Sequence, residues 1–100
     1  MSSESTPRVL NKRRDGMPPG SVYIGRPSKW GNPFVIGRDG SRDEVVAKYR
    51  NWLVGEYHAG RVTHEELAAL HGKQLVCWCA PLACHGDVLV EAAAWAEASR

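Results

Sequence analysis

Long apolar runs, internal repeats and a glycine-rich phosphate cradle are all missing from this chain. No stretch approaches the roughly 20 apolar residues that a membrane-spanning helix needs, so no membrane partner is expected. The opening "MSSESTPRVLNKRRDGMPPG" contains no apolar core of the kind a signal peptide carries. Cysteine is scarce, with three residues, an odd number. Without a secretion signal, that count predicts a cytoplasmic protein with reduced thiols rather than a disulfide framework.

The 100 residues suffice for one domain with a modest core. Net charge is only +2, yet the first fifty residues hold ten Lys/Arg against five Asp/Glu and the second fifty three against six. Such asymmetry fits a surface that meets phosphate or acidic partners. The alternative is a solvated basic tail, because Arg8, Lys12, Arg13 and Arg14 supply much of the excess. Residues 1–15 are accordingly expected to form a flexible basic tail and residues 16–100 a single domain.

Along the chain, "RVLNK" is compatible with a short strand, and "RRDGMPPGS" is turn chemistry. "SVYIGR" (21–26) reads as a buried strand by its β-branched and aromatic content, and "FVIG" (34–37) as a short strand or extended segment. Ser41 with Glu44 makes a capping box before a helix whose apolar face carries Val45, Val46, Tyr49, Trp52, Leu53 and, further on, Tyr57. Gly60 closes that unit. Thr63 with Glu66 opens a second, shorter helix with Leu67 and Leu70 inward and Gly72 as its stop. "KQLVCWC" (73–79) is the strongest strand, "APLA" a tight connection, and "CHGDVLVEAAAWAEA" a last helix burying Val88, Leu89, Ala92 and either Trp95 or Ala96. This order predicts a small α/β domain, with a short, partly parallel sheet flanked by about three helices.

The segment 77–87, "CWCAPLACHGD", holds every cysteine. Cys77 and Cys79 share one face of a strand while Trp78 points to the other, and Cys84 and His85 open a helix. Unpaired amides and the positive helix end favour an anion there, and a thiol would ionise more easily. Three chemistries compete. Cys77, Cys79, Cys84 and His85 make a Cys₃His zinc set, although structural zinc normally joins two separated ligand pairs and here four ligands crowd into nine residues. Cys84 could act as a nucleophile with His85 or His64 as base, but adjacent helical side chains diverge by about 100°. The third is a phosphate or other polar ligand held beyond the carboxyl end of the strand, with His85 and Asp87 nearest to it. Against all three stands plain structure: buried thiols as small hydrophobes, Cys77 above all, and Asp87 as a helix cap.

"GRPSKWGNPF" (25–34) also follows a strand and should reach the same sheet edge. Arg26 and Lys29 suit phosphates, Trp30 a stacked base, and the Asn32 amide a base edge. The competing reading tucks Trp30 into the core and has Asn32 tie up backbone groups.

Together "VYIGRPSKWGNPF" and "LVCWCAPLACHGDVLVE" resemble a family of small bacterial and phage domains of unknown function with G-R…N-P-F and C-W-C…C-H-x-D-V-L motifs. The likeness spans roughly residues 20–93 and includes Gly25, Arg26, Asn32, Pro33, Phe34, Cys77, Trp78, Cys79, Cys84, His85 and Asp87. The second motif is more distantly similar to a strand–loop–"CHR" element of another α/β family, which has Arg where this chain has Gly86. The resemblance implies a phage or bacterial cytoplasmic setting and a joint site from the two segments. It names no substrate.

The expectation is therefore a pocket formed by 25–34 and 79–87 that binds a nucleotide or related phosphate-bearing ligand. Arg26, Lys29, Trp30 and Asn32 would contact the ligand, the amides of Cys84, His85 and Gly86 would complete the anion site, and no resident cofactor is called for. His85, Asp87 and Cys84 are the candidates should a reaction occur, with His85 and Asp87 as the acid–base pair. No nucleophile–base–orienter set is visible, so the sequence does not choose between enzyme and binder. Two alternatives differ in class: a module binding a host protein or nucleic acid through the basic first half, and a zinc-stabilised structural domain. Deleting residues 1–15 should weaken the module and leave a pocket untouched. Oligomeric state is not legible.

Overall fold

Within residues 9–78 and 84–99, which the computed structural model describes, three short strands and four helices form. The strands are β1 (Val9–Asn11), β2 (Val22–Tyr23) and β3 (Leu75–Cys77), and the helices α1 (Lys12–Asp15), α2 (Arg42–His58), α3 (His64–Ala69) and α4 (His85–Ala98). β3 is buried at every residue, as a strand covered on both faces must be. It lies between the other two, in the order β1-β3-β2, and both pairings are parallel. The α/β class, the parallel sheet and the pairing of "VYIG" with "LVCWC" follow the sequence expectation.

β1 is the short strand that "RVLNK" allows, and the first departure is one of extent: Val9, Leu10 and Asn11 sit in register with Leu75, Val76 and Cys77, so the folded unit begins before residue 16. Asn11 then ends the strand and starts α1, its side chain accepting from the amides of Arg13 and Arg14 at 2.9 and 3.1 Å. Residues 34–37 are the second departure, since they form bends and turns, not a strand. The Val35 amide donates to the Asp39 carboxylate at 2.8 Å, and the Val35 carbonyl accepts from Arg38 and Asp39. Two β-branched residues between Pro33 and Gly37 are too few to compete with that local closure.

Both expected capping boxes form, at Ser41/Glu44 and Thr63/Glu66. α2 buries Val45, Tyr49 and Leu53, with Val46, Trp52 and Tyr57 half-buried beside them. Leu67 and Leu70 point inward, and Gly72 takes the left-handed conformation (φ 83°) that ends the unit. α4 packs against α3, α2 and β3, burying Val88, Leu89, Ala93 and Ala96 while Trp95 stays half exposed. Its N-terminus approaches the sheet so closely that a Cβ on Gly86 would lie 3.0 Å from side-chain carbons of Val9 and Ile24. An arginine at this position, as in the "CHR" element, has no room.

Candidate ligand-binding cavity

A cavity of about 400 Å³ opens where β2 and β3 end and α4 begins, a size in the ~300–1,000 Å³ range of small-molecule sites. Gly25, Arg26, Asn32 and Phe34 line it from the loop after β2, and Cys77, Trp78, Cys84 and His85 from the passage between β3 and α4. The two segments that the sequence placed together therefore share one wall. Val35 and Ile36 from the following turns, with Arg42, Val45 and Val46 from α2, complete a predominantly apolar lining.

The loop after β2 is held by its own side chains. The Tyr49 hydroxyl donates to the Trp30 carbonyl at 2.8 Å; Asn32 Nδ2 donates to the Val45 carbonyl at 3.3 Å, and its Oδ1 accepts from the Phe34 amide at 2.8 Å. Asn32 thus faces the cavity but spends its amide on backbone. Burial pushes the Tyr49 phenol well above its ordinary value, with the charge of Cys84 adding to the effect, so Tyr49 acts as a neutral donor. Trp30 is buried in the core and does not line the cavity. Lys29 also lies off the cavity, engaged with the Glu66 carboxylate at 2.6 Å. The stacking and phosphate roles expected of Trp30 and Lys29 have no geometric basis here.

Trp78 occupies the place that Trp30 does not. It is 54 % exposed and lines the cavity. Its indole N–H donates to the Tyr23 hydroxyl at 2.8 Å, which donates to the Arg26 carbonyl at 3.1 Å. The Asn11 side-chain amide donates to the Trp78 carbonyl at 3.0 Å, and Lys12 Nζ sits 5.5 Å from the ring centroid. The end of β3, the loop after β2 and the N-terminal segment are thereby tied at one point. Sequence reading passed over Trp78 because alternation assigned it to the face opposite Cys77, and over Arg42 because it reads as the first residue of an ordinary helix.

At the start of α4, His85 is buried and its Nε2 lies 2.7 Å from the Ile24 carbonyl. A carbonyl only accepts, so Nε2 carries the proton and the neutral ring keeps its lone pair on Nδ1. Burial holds its pKa below the usual imidazole value; the Ile24 bond works against that, Arg26 reinforces it, and Asp87 offsets it slightly. The Tyr49 ring packs edge-on against the imidazole, centroids 5.0 Å apart. Asp87 is exposed and gives its carboxylate to the Cys84 amide at 3.2 Å, closing a capping box, so no His85–Asp87 acid–base pair is formed. Cys84 is the N-cap; its sulfur accepts from the Gly86 amide at 3.3 Å and lies 3.2 Å from the Cys77 sulfur. The Cys84 and Gly86 amides expected to bind an anion thus already have protein acceptors. His64, the other candidate base, instead bonds to the Tyr57 hydroxyl at 3.1 Å and the Ala96 carbonyl at 2.8 Å. Among the described residues no group of three His, Cys, Asp or Glu side chains is arranged to hold a metal ion; Cys79, part of the expected zinc set, lies outside them.

Residues 9–95 match the family model described as "Domain of unknown function (DUF4326)". An "Uncharacterized 12.4 kDa protein in nrdA-td intergenic region" of Enterobacteria phage T4 is 34 % identical over 83 residues, covering 82 % of this chain and 72 % of that protein. An uncharacterized protein of Acanthamoeba polyphaga mimivirus is 30 % identical over 104 residues, covering 84 % of this chain and 75 % of that one. No solved structure matches.

Proposed function

The chain belongs to the DUF4326 family, and from the shape and lining of its cavity we propose that it binds a small phosphate-bearing ligand of the nucleotide class. One observation carries this reading: Arg26 and Arg42 line a predominantly apolar, aromatic-edged cavity at the carboxyl ends of two parallel strands. That is where α/β domains place ligands, and the lining suits a molecule with an anionic end and a flat apolar body. Arg26 forms no side-chain hydrogen bond or ion pair among the described residues, so its guanidinium is available to phosphate oxygens. Trp78 and Phe34 supply the aromatic surface, and Nδ1 of His85 supplies an acceptor for a ligand hydroxyl or amine. The reading is of a binding site; no reaction is assigned.

The competing reading, a module docking on nucleic acid through the basic first half, draws less support. Among the described residues Arg14, Lys29, Arg38 and Arg50 are each paired with a carboxylate, which leaves fewer cations for the several phosphates that such binding neutralises.

Calorimetric titration with nucleoside mono-, di- and triphosphates, the parent nucleosides and inorganic phosphate tests the proposal. Micromolar binding of at least one nucleotide is expected, weakened roughly tenfold or more by Arg26→Ala and by Arg42→Ala, with circular dichroism unchanged. Undiminished affinity in both variants, or equal binding of the unphosphorylated nucleoside, would overturn it.

A further inference from the structure

Two thiols line the cavity and have no role in the proposed ligand binding. Cys77 ends β3 and Cys84 caps α4, and their sulfurs are 3.2 Å apart. Both residues are buried and line the cavity, which is the side from which an oxidant would approach. We propose that Cys77 and Cys84 are a peroxide-oxidisable dithiol, which closes to an intramolecular disulfide.

Three features point this way. A disulfide needs the sulfurs at about 2.05 Å, so they must approach by only about 1 Å. The Gly86 amide donates to the Cys84 sulfur, and the positive end of a fourteen-residue helix faces it; both favour negative charge on that atom, which is the state that attacks peroxide. Finally, the two cysteines sit on separate elements that pack together, β3 and α4, with their sulfurs already in contact.

The chemistry balances with peroxide as the oxidant. The Cys84 thiolate attacks one oxygen of hydrogen peroxide, the O–O bond breaks, and a sulfenic acid and hydroxide result. The Cys77 thiolate, its proton having passed to water, then attacks the Cys84 sulfur, the S–O bond breaks and hydroxide leaves. Together with the two thiol protons, the hydroxides give two waters. Two thiols have lost two electrons and one peroxide has gained them.

The test uses the full chain, fully reduced, treated with equimolar hydrogen peroxide, alkylated with N-ethylmaleimide and weighed intact. The expected product carries one alkyl group and has lost about 2 Da from its two remaining cysteines. Peptide mapping should find Cys77 joined to Cys84 and Cys79 alkylated, and dithiothreitol should reverse the bond. Cys79→Ser should oxidise at a rate within about twofold of the parent. Cys84→Ser should form no bond between positions 77 and 84; serine is itself a good N-cap, so this variant keeps the helix start. A linkage that includes Cys79, three alkylatable thiols after treatment, or a sulfinic acid at Cys84 without cross-link would each overturn the proposal. None of these results depends on the identity of the cavity's ligand.

Discussion

His85 illustrates how one buried side chain joins the fold to the site. Its Nε2–H satisfies the Ile24 carbonyl at the end of β2, and its ring lines the cavity. Burial depresses its pKa below the ordinary value of about 6.5, and the sign of the consequence follows. The unfolded chain takes up a proton near pH 6.5, while the folded chain resists it to lower pH, so acid favours unfolding. The stability contributed by keeping this imidazole neutral is fully present above about pH 6.5 and is lost as pH falls through the folded-state value. Urea midpoints should therefore decrease between about pH 7.5 and about pH 5.5, and H85Q should show a flatter profile. An equal slope in H85Q would move the effect to another group. The sequence places His85 at the start of a helix but carries no sign of its hydrogen-bond partner. A histidine at a helix start is visible as a motif, whereas the carbonyl that fixes its tautomer lies 61 residues earlier in the chain.

At the level of elements, legibility tracked how local the determining contacts are. Ser41/Glu44 and Thr63/Glu66 announce their helices because a capping box is complete within four residues. The Cys84/Asp87 box is built the same way, but the sequence leaves Asp87 open between cap and chemistry, since cysteine is a rare N-cap. The loop after β2 is the opposite case, because long-range contacts from α2 decide which of its polar residues are spent on backbone. Its glycine makes a sharp test. A Cβ on Gly31 would stand 2.9 Å from Arg26 Cγ and 3.1 Å from Arg26 Cα, so the segment carrying that arginine must shift. Gly31→Ala should cost about 1–3 kcal/mol, the usual range for overpacking, and should weaken ligand binding along with stability. Gly55, on the exposed side of α2 with open space around its Cα, gives the opposite sign. Gly55→Ala should stabilise by about 0.5–1 kcal/mol through helix propensity and leave binding unchanged. Urea denaturation of the two variants measures both, and a destabilised Gly55→Ala would show that the contrast does not come from local space.

Across the whole molecule, the charge asymmetry seen along the chain is partly offset in space. Lys29 with Glu66 and Arg50 with Glu91 pair the basic first half with the acidic second half. Each pair is exposed and adds little stability, but together they set two cations of the first half against carboxylates of the second. The N-terminal segment shows the same gap between order in the chain and order in space. Charge makes residues 1–15 read as a tail, and the short strand that "RVLNK" allows is too brief to carry a periodic signal that would outweigh it. In the fold, Leu10 is buried, Val9 covers the start of α4, and Asn11 and Lys12 brace Trp78 at the cavity rim. Deleting residues 1–15 should therefore do two things at once, contrary to what the sequence led us to expect. Loss of Leu10 alone should cost about 2–5 kcal/mol, as for other buried leucines, and loss of the β1 ladder adds to it by leaving one side of β3 unpaired. Ligand affinity should fall too, because Trp78 loses the Asn11 donor to its carbonyl. Asn11→Ala separates the effects: it removes that donor and the cap of α1 but keeps the strand. It should lower affinity with a smaller loss of stability than the deletion, read by titration and urea unfolding on the same samples. If the deletion unfolds at the same urea concentration as the parent chain, β1 is not part of the cooperative unit and the site ends at the loop after β2.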